Sequence, residues 1–234
     1  MVALVDYGMG NRRSVEKALE RVGARVKVTS DQKEIEAADG LVIPGVGAFP
    51  QAMANLEQLG LPDVIRERAD KGVPVLGICL GMQLLFERSE EGERTTRLRR
   101  PTSGLQKPSS GLREPTSGLG LLPGEVTWLD TGGLPLPHIG WNHVHFVAPS
   151  PLIDNLPESG CAFYHAHSLA ARPKSPKHTV GTADYGERFT TIVARGHIFG
   201  VQFHPEKSSA GGLALLRSFI ALCLGERLQT AARA

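Results

Sequence analysis

The segment Val73-Pro-Val-Leu-Gly-Ile-Cys-Leu-Gly-Met-Gln83 leaves few folds open to this chain. Its apolar run, Val73 to Ile78, reads as a buried strand. The run stops on Cys79, flanked at minus two and plus two by Gly77 and Gly81, and a helical pattern from Met82 through Leu85, Phe86 and Glu87 follows at once. A side chain raised on so sharp a turn needs neighbours without Cβ atoms. Strand, Gly-x-Cys-x-Gly, helix is the thiol form of a nucleophile elbow. The helix that begins there sets backbone N–H groups and a positive dipole end beside the sulfur, which favours thiolate. The alternative is an inert cysteine packed in a core.

The chain before the elbow alternates short apolar runs with helical patterns. Val2–Val5, Arg25–Thr29 and Leu41–Ile43 read as strands. Between them, Asn11 caps a helix with Val15, Ala18, Leu19 and Val22 on one face, closed by Gly23, and a short polar helix falls near Asp31–Ala38. Ala48–Leu59 and Pro62–Lys71 are two further helices. This rhythm predicts an α/β fold, a mostly parallel central sheet with helices on both faces. Working groups in such sheets gather at the carboxyl ends of strands. Asp6-Tyr-Gly-Met-Gly-Asn11, Pro44-Gly-Val-Gly47 and Cys79 all fall there.

The second half changes character. Glu125–Leu129, Ile139–Val147, Cys161–Leu169, Thr179–Ala183, Thr190–Ala194 and Ile198–Phe203 are strands by their β-branched and aromatic content, and they predict an antiparallel extension of the sheet. Ala210–Leu224 is a final amphipathic helix that turns Leu213, Leu216, Phe219, Ile220 and Cys223 to the core. Residues 94–118 break the pattern, with a basic start and a repeated Pro-x-Ser-Gly-Leu unit that Pro and Gly keep from being helical. That segment is expected to be a flexible surface insertion in a single domain spanning 1–234, dispensable for chemistry.

Composition bounds the rest. Net charge is +2, with 21% charged and 41% hydrophobic residues, which gives no general argument for nucleic acid or membrane binding. Three widely spaced cysteines make neither a disulfide framework nor a metal knuckle, so a reducing cytoplasm is expected, with no metal and no cofactor. No apolar run approaches the roughly 18 residues of a membrane span, and the N-terminus reads as a strand rather than a signal peptide.

Near the C-terminus stands Phe199-Gly-Val-Gln-Phe-His204-Pro-Glu206-Lys207. His204 emerges at a strand end and Glu206 lies two residues on. In extended chain, residues i and i+2 point the same way, so the carboxylate reaches the imidazole and holds one tautomer. A base held in this way is what a cysteine nucleophile requires. The motifs Gly77-Ile-Cys-Leu-Gly-Met-Gln83 and Gln202-Phe-His-Pro-Glu206 together resemble the class I glutamine amidotransferase family, with its Cys-His-Glu triad. Asp6-Tyr-Gly-Met-Gly-Asn11, Pro44-Gly-Val-Gly-Ala-Phe49, Gly140-Trp-Asn142 and His204-Pro-Glu-Lys207 are similar to one branch of it, the ammonia-supplying glutaminases of imidazole glycerol phosphate synthases. The likeness covers nearly the whole chain outside residues 94–118.

The resemblance implies that Cys79 attacks glutamine, His204 moves the protons and Glu206 orients His204. It implies an oxyanion hole from the Leu80 N–H and the turn at Val46 and Gly47, which rearranges before it donates. It implies glutamine contacts from Gln83, Glu91, His167 and Ser168, although Leu169 stands where the family commonly has an aromatic residue. It gives His165 no role, and His138 reads as a loop or sheet residue rather than a ligand. The implied partner is a (β/α)8-barrel cyclase in a heterodimer, facing Asn11 and Lys207; Trp141 reads as either a core anchor or an interface aromatic, and the enrichment of Trp at interfaces favours the second. The alternatives are a glutaminase for another synthase, such as that of pyridoxal phosphate, or a non-catalytic binding protein. The first usually carries a Gly-Gly-Glu-Ser type of loop where Pro44–Phe49 stands, and the second lacks the His-x-Glu pair.

Overall fold

The computed structural model describes residues 1–91 and 115–225. In chain order the elements are β1 (Val2–Val5), α1 (Arg12–Arg21), β2 (Val26–Thr29), α2 (Gln32–Glu36), β3 (Gly40–Ile43), α3 (Phe49–Gln58), α4 (Leu61–Asp70), β4 (Val75–Ile78), α5 (Leu80–Leu84) and β5 (Phe86–Ser89). They continue with β6 (Thr116–Ser117), β7 (Leu122–Trp128), β8 (His138–Phe146), β9 (Cys161–His167), β10 (Leu169–Pro173), β11 (Thr179–Tyr185), β12 (Glu187–Arg195), β13 (Ile198–Val201) and α6 (Ser209–Cys223).

The sheet runs β2-β1-β3-β4-β13-β12-β10-β7-β5-β6, with β11 beside β12 and β8–β9 attached through β11. Its first five strands are parallel. From β12 onward the pairing is mostly antiparallel, as the change in sequence character predicts. Strands β1, β3 and β4 have no polar face because both of their faces are covered, whereas β2, at the sheet edge, exposes Lys27. In β1, Ala3 and Val5 enter one core layer with α3 and α4, while Val2 and Leu4 enter the other with α1 and α6. Cys223 packs where a Cβ on Gly40 would stand 2.2 Å from its sulfur, so that glycine makes room for the last helix.

Three expectations shift. The helix after the elbow stops at Leu84, and Phe86–Ser89 is instead β5, parallel to β7. Strand partners distant in sequence override a local helical pattern there. The single strand expected over 161–169 is two strands, β9 and β10, which pair with different neighbours and break at Ser168. The expected insertion falls largely outside the described residues, but its last part does not. Thr116 and Ser117 pair with Ser89 and Arg88, and a Cβ on Gly118 would meet the Phe86 carbonyl at 2.2 Å.

Candidate active site

The parallel strands β4 and β13 lie side by side, with Ile78 opposite Val201. Their ends are therefore level, and the residues that follow, Cys79 and His204, leave the sheet at one place. At Cys79 the backbone adopts φ 55° and ψ −111°. A side chain with positive φ is strained and persists only where its surroundings hold it. Here the Cys79 N–H donates to the Val201 carbonyl at 2.8 Å, and the Cys79 carbonyl accepts from Gln83 N–H at 3.2 Å. The flanking glycines are obligatory. A Cβ on Gly81 would lie 1.8 Å from the Ile43 oxygen, and one on Gly77 would lie 2.5 Å from the Gly81 oxygen. Because α5 spans only five residues, it offers the sulfur unpaired N–H groups rather than a long dipole.

His204 Nδ1 stands 2.9 Å from Glu206 Oε1. A carboxylate only accepts, so Nδ1 carries the proton and Nε2 is left for Cys79. The side chains of His204 and Glu206 are 4% and 1% exposed. Burial opposes the imidazolium, but Cys79 and Glu206 outweigh it and push the His204 pKa up to about 9. The second oxygen of Glu206, Oε2, is buried without a partner among the described residues.

A cavity of about 230 Å³ opens over Cys79. It is lined by Val46, Gly47, Leu80, Gln83, Glu91, His167 and Ser168, every residue expected at an oxyanion hole or a glutamine contact, with Trp128, Pro137, Ala166 and Leu169 beside them. Among the described residues, the N–H groups of Leu80, Val46, Gly47 and Ser168 meet no protein acceptor. The Tyr7 hydroxyl donates to the Pro44 carbonyl and thereby anchors the turn. A Cβ on Gly45 would stand 2.6 Å from that hydroxyl oxygen and 2.8 Å from Leu80 Cβ, which explains the glycine.

Gln83 and Glu91 are already engaged. Gln83 Nε2 donates to the Leu169 carbonyl at 3.3 Å and to Gln202 Oε1 at 3.1 Å, which leaves its Oε1 to meet a ligand. Glu91 Oε2 accepts from Phe49 N–H at 2.6 Å, at the start of α3. Burial raises the Glu91 pKa, and that bond opposes the rise.

The outer residues separate into two groups. Lys207 Nζ lies 5.8 Å over the Tyr164 ring, which meets Trp141 edge to face at 6.3 Å between centroids. Trp141 is 55% exposed and its neighbour Ile139 is 61% exposed, an apolar patch beside the cavity. Asn11 caps α1, which packs against the 3-10 turn carrying Glu206 and Lys207; its Oδ1 accepts from Ser14 N–H at 3.4 Å.

Sequence reasoning missed three residues. Gln202 Nε2 lies 3.8 Å from the Cys79 sulfur. Its signal was present in the sequence, two residues before His204. Tyr7 is almost fully buried, and its phenol is raised above the ordinary range by burial and by Cys79. His138 is buried against His167, a cross-strand pairing that no local pattern announces.

A family model described as glutamine amidotransferase class-I matches residues 3–222. The chain is 48% identical over 218 residues to the imidazole glycerol phosphate synthase subunit HisH of Moorella thermoacetica, covering 93% of each chain. It is 41% identical over 224 residues to the HisH subunit of Halobacterium salinarum, covering 95% of this chain and 93% of that one. Among solved structures, PurLQS from Thermotoga maritima superposes with a TM-score of 0.69 at 18% identity, over 94% of this chain and 97% of that one. A crystal structure of a glutamine amidotransferase gives 0.68 at 19% identity, over 95% and 99%. The two structural matches speak to the fold alone.

Proposed function

The chain belongs to the class I glutamine amidotransferase family, and we propose that it is the glutaminase of an imidazole glycerol phosphate synthase, working through Cys79, His204 and Glu206. The observation that carries the reading is the placement of a strained, buried Cys79 and a carboxylate-held His204 on the level ends of adjacent parallel strands.

The Cys79 thiol gives its proton to His204 Nε2, and the sulfur attacks the side-chain amide carbon of glutamine. The carbonyl oxygen takes the negative charge and is met by the Leu80 N–H and by an N–H from the Val46–Gly47 turn. His204 Nε2–H protonates the nitrogen, the C–N bond breaks and ammonia leaves. The thioester that remains is attacked by water, whose proton passes to Nε2. Collapse returns the electron pair to sulfur and releases glutamate. Glu206 keeps the proton on Nδ1 and stabilises the imidazolium formed in each step.

The cavity, at about 230 Å³, falls below the roughly 300–1,000 Å³ of drug-sized pockets and suits one amino acid. Gln83 Oε1, Glu91 and the Ser168 main chain are its polar contacts. The exposed Trp141–Ile139 patch, with Lys207 and Asn11, receives a (β/α)8-barrel cyclase, into which the ammonia passes. Three cysteines without disulfides fit a cytoplasmic setting. Among the described residues no helix is long and apolar enough to cross a membrane.

The test is alkylation by a diazoketone analogue of glutamine, read by mass spectrometry, together with glutamate release with and without the cyclase. Labelling at Cys79, blocked by glutamine and lost in Cys79→Ala, is expected, with turnover rising when the cyclase and its nucleotide are added. Labelling elsewhere would defeat the triad, and full turnover from the chain alone would defeat the coupling to a partner.

A further inference from the structure

Behind the cavity three imidazoles from β8 and β9 lie together in the interior. His138 is 4% exposed, His165 0% and His167 5%. The glutaminase chemistry proposed above uses none of these rings. Their hydrogen bonds nevertheless have only one consistent arrangement, fixed by a carbonyl at each end.

At the cavity end, His167 Nδ1 lies 2.8 Å from the Leu169 carbonyl. A carbonyl only accepts, so Nδ1 carries the proton and Nε2 is an acceptor. His167 Nε2 stands 3.3 Å from His138 Nδ1, so His138 is the donor there and its own Nε2 becomes an acceptor. His138 Nε2 lies 3.3 Å from Asn142 Nδ2, which donates to it. The second hydrogen on Asn142 Nδ2 goes to the Asp184 carbonyl at 3.0 Å, which settles the orientation of that amide. Burial lowers the pKa of His138, and burial together with the neighbouring imidazoles lowers those of His165 and His167, so the rings stay neutral, as this sequence of donors and acceptors demands.

The His138 ring is also fixed in place. Tyr185 stacks on it at 4.0 Å and 24°, and His165 stacks at 5.0 Å and 25°. The chain does not end at Leu169. The same carbonyl accepts from Gln83 Nε2, Gln83 donates to Gln202, and Gln202 Nε2 faces the Cys79 sulfur. A continuous polar path therefore leads from Asn142, one residue past the exposed Trp141, to the nucleophile.

We propose that His138 is a positioning residue, holding the His167–Leu169 edge of the cavity in its glutamine-binding shape and tying that edge through Asn142 to the surface around Trp141. The proposal rests on the glutaminase reading and adds to it the means by which a partner pressing on Trp141 reaches the cavity. The His167 bond to Leu169 spans the break between β9 and β10. That break holds the unpaired Ser168 N–H at the cavity edge, while the Leu129 N–H fixes the Ser168 carbonyl at 3.0 Å.

The test uses the full chain and needs no partner. Cys79 alkylation by the diazoketone analogue of glutamine separates binding, KI, from the covalent step, kinact, and iodoacetamide reports intrinsic thiol reactivity. His138→Phe keeps a ring between Tyr185 and His165 but removes both nitrogens. It is expected to raise KI about tenfold, the worth of one buried hydrogen bond, with kinact and the iodoacetamide rate within about twofold of wild type. His138→Gln restores one donor and one acceptor and is expected to bring KI back to within about threefold of wild type. Asn142→Ala breaks only the outer link and is expected to raise KI about threefold. A KI in His138→Phe equal to that of wild type would overturn the proposal. So would a His138→Gln as weak as His138→Phe at an unchanged melting temperature, since ring packing would then be the whole effect. If the wild-type chain shows no glutamine-protected labelling, the glutaminase reading fails; if the wild type labels and the variants match it, only the role of His138 fails.

Discussion

Glu206→Gln isolates the charge of the orienting carboxylate. The substitution keeps an oxygen where Oε1 now accepts at 2.9 Å from His204 Nδ1, so the geometry survives while the charge goes. In the folded chain the His204 pKa rises from 6.5 to about 9, against burial, because of Cys79 and Glu206. At about 1.36 kcal/mol per pH unit, a rise of roughly 2.5 units corresponds to about 3.4 kcal/mol. The folded value lies above the unfolded one. This stability is therefore fully present below about pH 6.5 and is lost as pH climbs through about 9. Cys79 and Glu206 both contribute, so removing one charge is expected to remove roughly half, about 1.5–2 kcal/mol of the pH-dependent part. The assay is urea unfolding at intervals from pH 6 to 10 for both proteins. Other titrating groups are common to the two, so the difference between the curves reports His204. The variant is expected to be less stable at pH 6.5 and to converge on wild type above pH 9. Glutamate release should fall about 100-fold, at the lower end of general acid–base contributions. Parallel stability curves with no convergence would refute the reasoning, because Glu206 would then be a packing residue.

Substitutions at two positions probe the elbow. Cys79→Gly and Cys79→Ala both abolish turnover, but only glycine is at ease at φ 55°; Cys79→Gly is expected to be about 1 kcal/mol more stable than Cys79→Ala in urea, and equal midpoints would mean that the turn stores no strain. Gly81→Ala puts a methyl 1.8 Å from the Ile43 carbonyl oxygen, a backbone atom on a central strand that cannot step aside; a loss of about 3 kcal/mol or more is expected by thermal and urea unfolding, and a wild-type melting temperature would show that β3 and α5 separate freely.

What the sequence revealed was local. The elbow, the His-x-Glu pair and the alternating first half are spacings within a few residues, and periods of two and 3.6 report them directly. The cavity-lining residues were reachable only through family resemblance. Nothing in the spacing of Gln83, Glu91 and Ser168 says that three separate segments meet at one cavity. The fold was misjudged where pairing over long separations decided the outcome. Phe86 and Glu87 continue a helical pattern yet belong to β5, which pairs with β7 and β6, and Cys161–Leu169 reads as continuous strand yet changes neighbours at Ser168. Gln202 and Tyr7 escaped for a related reason, since their roles lie in the atoms they touch, the Cys79 sulfur and the Pro44 carbonyl.

The misread break at Ser168 also bears on how the site works. An uninterrupted strand would have committed the Ser168 N–H to a ladder, as central strands do. By ending β9 at His167 and starting β10 at Leu169, the chain frees one donor over the cavity. The cost of the break is offset by the His167 ring, which takes up the Leu169 carbonyl, and by the Leu129 N–H, which takes up that of Ser168. The elbow follows the same logic. Its N–H at Leu80 is free because α5 begins there, and its strain is held by bonds to Val201 and Gln83. In both places an interruption of regular structure leaves one N–H at the cavity without a partner among the described residues, and the neighbouring carbonyls are satisfied from elsewhere in the fold. A site that must bind a carbonyl and a developing oxyanion needs donors of this kind, and a fully paired sheet could not supply them.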